Sequence, residues 1–173
     1  MDIAIVNTSH IPDETIEKII QAIEKVMPEF SKDWNVFGTL KLNGDSQIKC
    51  FISTLEVQNS RERAFHSLLN GIPYARVIVD KRDSLNLVSK MISHEIFELL
   101  ANPMQDRFLK EYELEVCDPV DKNSFDVDGI QISDWILPAW FSYGELPYNH
   151  MNTLTRARRV ALGGYINKRR DFH

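Results

Sequence analysis

Apolar residues recur along this chain in two rhythms, one of about two residues and one of about 3.6, and the switches between them mark its elements. Ile3 to Val6 is a short run rich in β-branched residues, closed by the polar Asn7-Thr8-Ser9, and predicts a buried first strand. Pro12 fits the first turn of a helix, Asp13 and Glu14 suit its positive end, and Ile16, Ile19, Ile20, Ile23 and Val26 repeat at helical spacing. The spacing predicts an amphipathic backing helix over residues 12 to 27, ending near Pro28. Residues 34–42 and 48–57 both carry alternating or β-branched apolar residues around the turn-forming Asn43-Gly44-Asp45, the pattern of a hairpin. Residues 58–72 are polar and then mixed, with a turn at Asn70-Gly71, and Ala75 to Val79 predicts another strand. Asp83 is a good N-cap for a helix over 85–101 whose buried stripe is Leu85, Val88, Ile92, Ile96 and Leu99 or Leu100, and Asn102-Pro103 stops it. Asp128-Gly129 predicts a second hairpin, and Pro138, Pro147 and Gly163-Gly164 leave the end of the chain as loops around one short helix.

A length of 173 residues supports one well-filled core, so residues 1–173 are expected to form a single domain with 143–173 as a loop-rich C-terminal segment. Hydrophobic and charged shares of 43% and 26% are those of a folding globular chain. A net charge of -5 argues against nucleic acid as a partner, because phosphate binding rests on surplus Lys and Arg on one face. The basic residues Arg156, Arg158, Arg159, Lys168, Arg169 and Arg170 read as a solvated tail face. Two cysteines far apart, Cys50 and Cys117, do not make a disulfide framework and fit reduced thiols in a cytoplasmic setting. The N-terminal residues do not read as a signal peptide, and no run is long enough to span a membrane, so no membrane partner is expected.

The chemistry concentrates on the helix over 85–101. His94 and Glu98 lie about 40° apart around a helix axis and one turn apart along it, so two donors reach one ion. Glu95 is placed beside them, able to address a water on that ion without being a ligand. This is the arrangement of HExxH zinc peptidases with Glu98 in place of the second histidine. In those enzymes the internal glutamate takes the proton of a water that attacks a zinc-polarised carbonyl. A third protein ligand must come from elsewhere, with the fourth position left open. The acid-rich segment 111–119 supplies two candidates, Glu115 and Asp118, which stand 17 and 20 residues beyond Glu98. Glu115 is the preferred metal ligand, with Asp118 supporting His94 or substituting as ligand. Cys117 between them reads as buried packing. His66 and Tyr165 are lesser candidates for orienting substrate or stabilising an oxyanion, and Trp135, Trp140 and Phe141 read first as core packing.

Several separated blocks in one order resemble a family of short HExxE proteins of bacteria and their phages, over roughly residues 64 to 165. They are Ala64-Phe65-His66, Gly71-Ile72-Pro73 before Arg76-Val77-Ile78-Val79, Ser93-His94-Glu95-Ile96-Phe97-Glu98-Leu99-Leu100, Glu115-Val116-Cys117-Asp118-Pro119-Val120, Ser133-Asp134-Trp135, Pro138-Ala139-Trp140-Phe141 and Gly163-Gly164-Tyr165. Asn102 departs from the pattern, since similar proteins carry aspartate before that proline. The resemblance implies a minimal zincin: an α+β, zincin-like single domain with a twisted mixed sheet, a backing helix and an HExxE active-site helix. It implies a metal at His94 and Glu98 and Glu95 as base. Hydrolysis of a peptide or similar amide in a protein substrate is the expected reaction. The rival expectation is a non-catalytic structural protein, such as a phage-particle component in contact with other virion subunits, and a regulatory metal-binding module is a third. Zinc is the expected metal; two carboxylates to one imidazole also admit manganese or iron.

Overall fold

The computed structural model describes residues 1–55, 63–109 and 112–166. Its chain order is β1 (Asp2–Thr8), α1 (Asp13–Trp34), β2 (Thr39–Leu42), β3 (Ile48–Thr54), β4 (Ala64–Leu69), β5 (Ile72–Val79), α2 (Leu85–Ala101), β6 (Phe108–Leu109), β7 (Tyr112–Glu113), a 3-10 turn (Asp118–Val120), β8 (Ser124–Val127), β9 (Ile130–Ser133) and α3 (Pro138–Ser142). The first five strands form one mixed sheet in the order β2-β1-β3-β5-β4, with β1, β2, β3 and β5 parallel and β4 antiparallel at an edge. This is a mixed α/β domain. Among the described residues no helix is long and apolar enough to cross a membrane.

The predicted hairpin over Asn43-Gly44-Asp45 does not form. β2 and β3 instead flank β1 on opposite sides, both parallel to it, with Ile3 opposite Leu40 on one side and Ile48 on the other. β1 buries Ile3, Ala4 and Ile5 almost completely, so both rows of its backbone groups need partners, and strands on both edges provide them. Residues 43–47 cross from one side of β1 to the other, with Asn43 N–H donating to Ile5 O at 2.8 Å and Ser46 Oγ to Asp2 O at 2.7 Å.

α1 also differs from expectation, running through Pro28 to Trp34. An interior proline costs on the order of 3 kcal/mol. The apolar stripe continues past it through Phe30, fully buried, to Trp34 against the core, and burial of such rings offsets a cost of that size. β4 was missed because its residues are mixed in character. It pairs with β5 across Asn70-Gly71, both at positive φ, the conformation that tight two-residue hairpins require. The last two residues of the strand expected over 48–57, Glu56 and Val57, and residues 58–62 of the polar stretch lie outside the described residues.

α2 has the predicted bounds, with a different cap. The Ser84 side chain accepts from Leu87 N–H, while Asp83 pairs with Arg63 and accepts from Asp80 N–H at 2.6 Å. Leu85, expected in the buried stripe, is exposed; Val88, Ile92, Ile96, Leu99 and Leu100 are buried as predicted. The second half of α2 is buried on every side. Phe97 stacks on Phe30 of α1 at 4.5 Å, and Trp135 stands edge-on to both. On another side the predicted β8–β9 hairpin closes over the helix, with Ser133 N–H donating to Ser93 Oγ at 2.9 Å. His94, Glu95 and Glu98 therefore sit in the interior, polar groups on the half of the helix that has no solvent face. Trp135 and Trp140 are fully buried and Phe141 nearly so, as core packing predicts.

Candidate metal centre

Three parts of the chain converge on the inner end of α2. The helix brings His94, Glu95 and Glu98, β4 brings His66, and the segment after β7 brings Glu115 and Asp118. All six side chains are buried. Glu98 organises this convergence: its Oε1 accepts from the backbone N–H groups of Cys117 at 3.1 Å and Asp118 at 3.2 Å, which leaves Oε2 facing the histidines. Those two bonds dock the 115–118 segment against the helix, and the 3-10 turn then aims the Asp118 carboxylate at His94.

His94 Nε2 lies 3.3 Å from Glu98 Oε2 and 3.2 Å from Asp118 Oδ1, and one donor atom from each of these residues falls within 4.8 Å of the others. Two ligands each about 2.0–2.1 Å from a common ion at a tetrahedral angle stand roughly 3.3–3.4 Å apart, so these separations fit a divalent cation. The other ring nitrogen, Nδ1, faces Asp121 Oδ1 at 3.8 Å, a carboxylate also paired with Lys90 and Lys122. A carboxylate on that side of a ligating histidine, at a separation a water can bridge, favours one ring orientation and tautomer.

The structure thus brings Asp118, and not the preferred Glu115, to His94. Glu115 Oε2 faces His66 Nε2 at 3.6 Å. His66, ranked low from sequence, stands at the middle of the site, with Nδ1 3.8 Å from Glu95 Oε2 and 3.7 Å from Glu98 Oε2. Nothing local in Ala64-Phe65-His66 announces this; the Asn70-Gly71 turn that makes β4 an edge strand was the one available signal. Tyr165 arrives through Gly-Gly: a Cβ on Gly164 would stand 2.3 Å from Pro119 O, and this close approach lets Tyr165 N–H donate to Asp118 O at 3.0 Å. Its phenol reaches the Asp118 carboxylate, and burial, then that carboxylate, raises the phenol's pKa. Of the C-terminal arginines, Arg158 is bound into the fold, over the Tyr143 ring at 4.1 Å and donating to Phe141 O.

The concentration of buried acids sets the protonation pattern. Burial, then repulsion from Glu98 and Asp118, pushes the Glu115 carboxyl up to about 10. Burial and Glu98 push Asp118 up to about 6, against the pull of His94 and Tyr165. Glu95 is raised by burial, with His66 pulling the other way. For Glu98 burial is outweighed by His94 and its backbone donors, and its pKa falls. Burial opposes charge on both histidines, but the surrounding carboxylates more than offset it and raise both pKa values.

These directions give a signed prediction. Asp118, His94 and His66 all have folded pKa values above their ordinary ones, so in the ion-free protein the stability from their bound protons is fully present below the ordinary values. It is lost as pH rises through about 6 for Asp118 and beyond 6.5 for the histidines. A cation requires the same groups deprotonated, so its binding competes with those protons. The rise in Tm on adding Zn²⁺ or Mn²⁺ is expected to widen steadily from about pH 5 to about pH 8. Thermal unfolding with and without the ion checks this, and a shift that shrinks with pH contradicts it.

Access comes through two adjoining cavities of about 330 and 200 Å³, which share Ala64, His94, Glu95 and Tyr165 in their walls. Residues 63–66 form one side and Asp118 to Lys122 with Tyr165 the other. A larger cavity, about 770 Å³, lies away from the site beside α1 and β2, around Met27 and Phe37.

Fold and side chains together define a candidate divalent-metal centre of HExxE type on a mixed α/β domain. Comparison of the chain with protein-family models, curated proteins and solved structures finds no match. The functional reading therefore rests on the residues themselves.

Proposed function

We propose that this chain is a metal-dependent hydrolase of peptide or related amide bonds, a minimal zincin-like domain whose ion is held by His94, Glu98 and Asp118. The observation that carries this reading is the meeting of His94 Nε2, Glu98 Oε2 and Asp118 Oδ1 at ligand spacing beside Glu95, a glutamate outside that group. A divalent cation there supplies Lewis acidity, polarising a carbonyl and acidifying water. The protein's share is to hold the proton and the charge. Glu95 is nearly fully buried in the wall of the cleft beside that group, which suits its carboxylate to take a proton from an attacking water and return it to the leaving amine. Its raised pKa moves it toward that of a useful base. Tyr165, half exposed on the cleft wall beside Asp118, is placed to donate to a developing oxyanion.

Two carboxylates and one imidazole neutralise a divalent ion, so zinc here is a weaker Lewis acid than in a histidine-rich site, and manganese or iron is accommodated as well. The cleft supports turnover over a purely structural role, since a scaffold has no need of access to these acids. The test is metal analysis of protein purified without chelator, together with cleavage of a mixture of unstructured peptides before and after chelator treatment. Stoichiometric metal and chelator-sensitive cleavage are expected. Chelator-insensitive cleavage, or no cleavage by fully loaded protein, overturns the reading.

A further inference from the structure

Three buried polar atoms in the site have no hydrogen-bond partner: His66 Nε2, Glu95 Oε2 and Glu115 Oε2. Each belongs to a side chain more than nine-tenths buried, at 6%, 3% and 8% exposure. Orphaned buried groups of this kind are costly, and in native structures an ion or water usually completes them. None of the three is used by the His94, Glu98 and Asp118 group. Their layout repeats that group's. His66 Nδ1 faces Glu95 Oε2 and Glu98 Oε2 at 3.8 and 3.7 Å, and donor atoms of these three residues again lie within 4.8 Å of one another. Separations of this size are too long for hydrogen bonds and close to those of ligands around one ion.

The imidazoles correspond as well. Each turns one nitrogen to Glu98 Oε2 and the other to a separate carboxylate, Asp121 for His94 and Glu115 for His66. A carboxylate on that side, at a separation a water can bridge, favours one ring orientation and tautomer of a ligating histidine. Glu98 Oε2 is common to both groups, flanked by His94 Nε2 at 3.3 Å and His66 Nδ1 at 3.7 Å, while Oε1 is engaged with backbone.

From this geometry we infer that His66, Glu95 and Glu98 form a second divalent-cation site, so that the centre holds two ions bridged by Glu98 Oε2, with Glu115 as the residue that orients His66. The inference rests on the first site binding its ion. The donors, one imidazole and two carboxylates, suit Mn²⁺, Fe²⁺ or Zn²⁺. In amide hydrolysis a second ion there would add positive charge beside the attacking water and the carbonyl oxygen. Glu95 binds through Oε2 and keeps Oε1 for the proton.

Ion-free full-length protein loaded with Mn²⁺ and desalted is expected to retain two ions per chain by native mass spectrometry. The same sample is expected to show an exchange-coupled paramagnetic resonance spectrum in place of the six-line signal of isolated Mn²⁺. His66→Ala is expected to retain one ion and revert to six lines, and the retained ion also shows that the variant is folded. Glu115→Gln, a milder change, is expected to weaken the second ion by roughly 10- to 100-fold and leave the first. One ion per chain in the wild type at saturating Mn²⁺ and Zn²⁺, or two in His66→Ala, overturns the second site. If that single ion disappears in His94→Ala, the hydrolase centre stands and only this inference falls. No ion in the wild type removes both.

Discussion

Glu95→Gln is expected to keep the ion of the His94, Glu98 and Asp118 group and to lower hydrolysis by on the order of 10² to 10⁴, the usual effect of losing a general base. The substitution is nearly isosteric and replaces one oxygen of a carboxylate whose Oε2 has no hydrogen-bond partner, so the helix and its packing are preserved. What changes is proton affinity, since an amide cannot accept the proton of an attacking water at neutral pH. Turnover of an unstructured peptide, measured with metal content on the same sample, is the check. Equal rates for variant and wild type remove Glu95 from the mechanism, and loss of all metal makes it a ligand of the first ion.

His94→Ala has the larger effect on the ion. Loss of a carboxylate that only supports a ligand costs roughly 10- to 100-fold in metal affinity, so removal of the ligand is expected to exceed 100-fold and to lose the ion of the His94, Glu98 and Asp118 group on desalting. Asp118→Asn is expected to weaken the same ion, and Glu115→Gln to spare it, because Asp118 Oδ1 and not Glu115 lies beside His94 Nε2. That contrast decides between the two acids. Glu98 is a poor probe for this purpose. Its Oε1 also holds the Cys117 and Asp118 N–H groups, and each buried donor left unsatisfied costs about 1–3 kcal/mol, so a Glu98 variant confounds lost ligation with a displaced loop. Unchanged metal content in His94→Ala shows that the site is misassigned.

The two ends of the site differ in how legible they were. His94, Glu95 and Glu98 follow from sequence because the helix over 85–101 is specified within itself. Its apolar period and Asn102-Pro103 at the end fix the register even though the cap is Ser84 and not the expected Asp83, and the register fixes which side chains share a turn. The Asp128-Gly129 hairpin is legible for the same reason, since a two-residue turn and its flanking strands are contiguous. Asp118 and Glu115 were both visible as acids at suitable distance, but choosing between them needed the Glu98 Oε1 contact and the 3-10 turn it anchors.

The remaining differences share a cause. Asn43-Gly44 looks like the turn of a hairpin, and Pro28 like the end of a helix, because both signals are read over a few residues. The partners that overrode them, β1 between β2 and β3, and Phe30 against Phe97 and Trp135, come from distant parts of the chain. The sequence by itself determined the helix that presents His94, Glu95 and Glu98 to one another, since local periodicity dictates side-chain direction. Only the tertiary structure decided that His66 from an edge strand and Asp118 from a turn complete the cluster. Their placement follows from which backbone groups and apolar faces find partners across the fold, and the residues around them do not encode that locally.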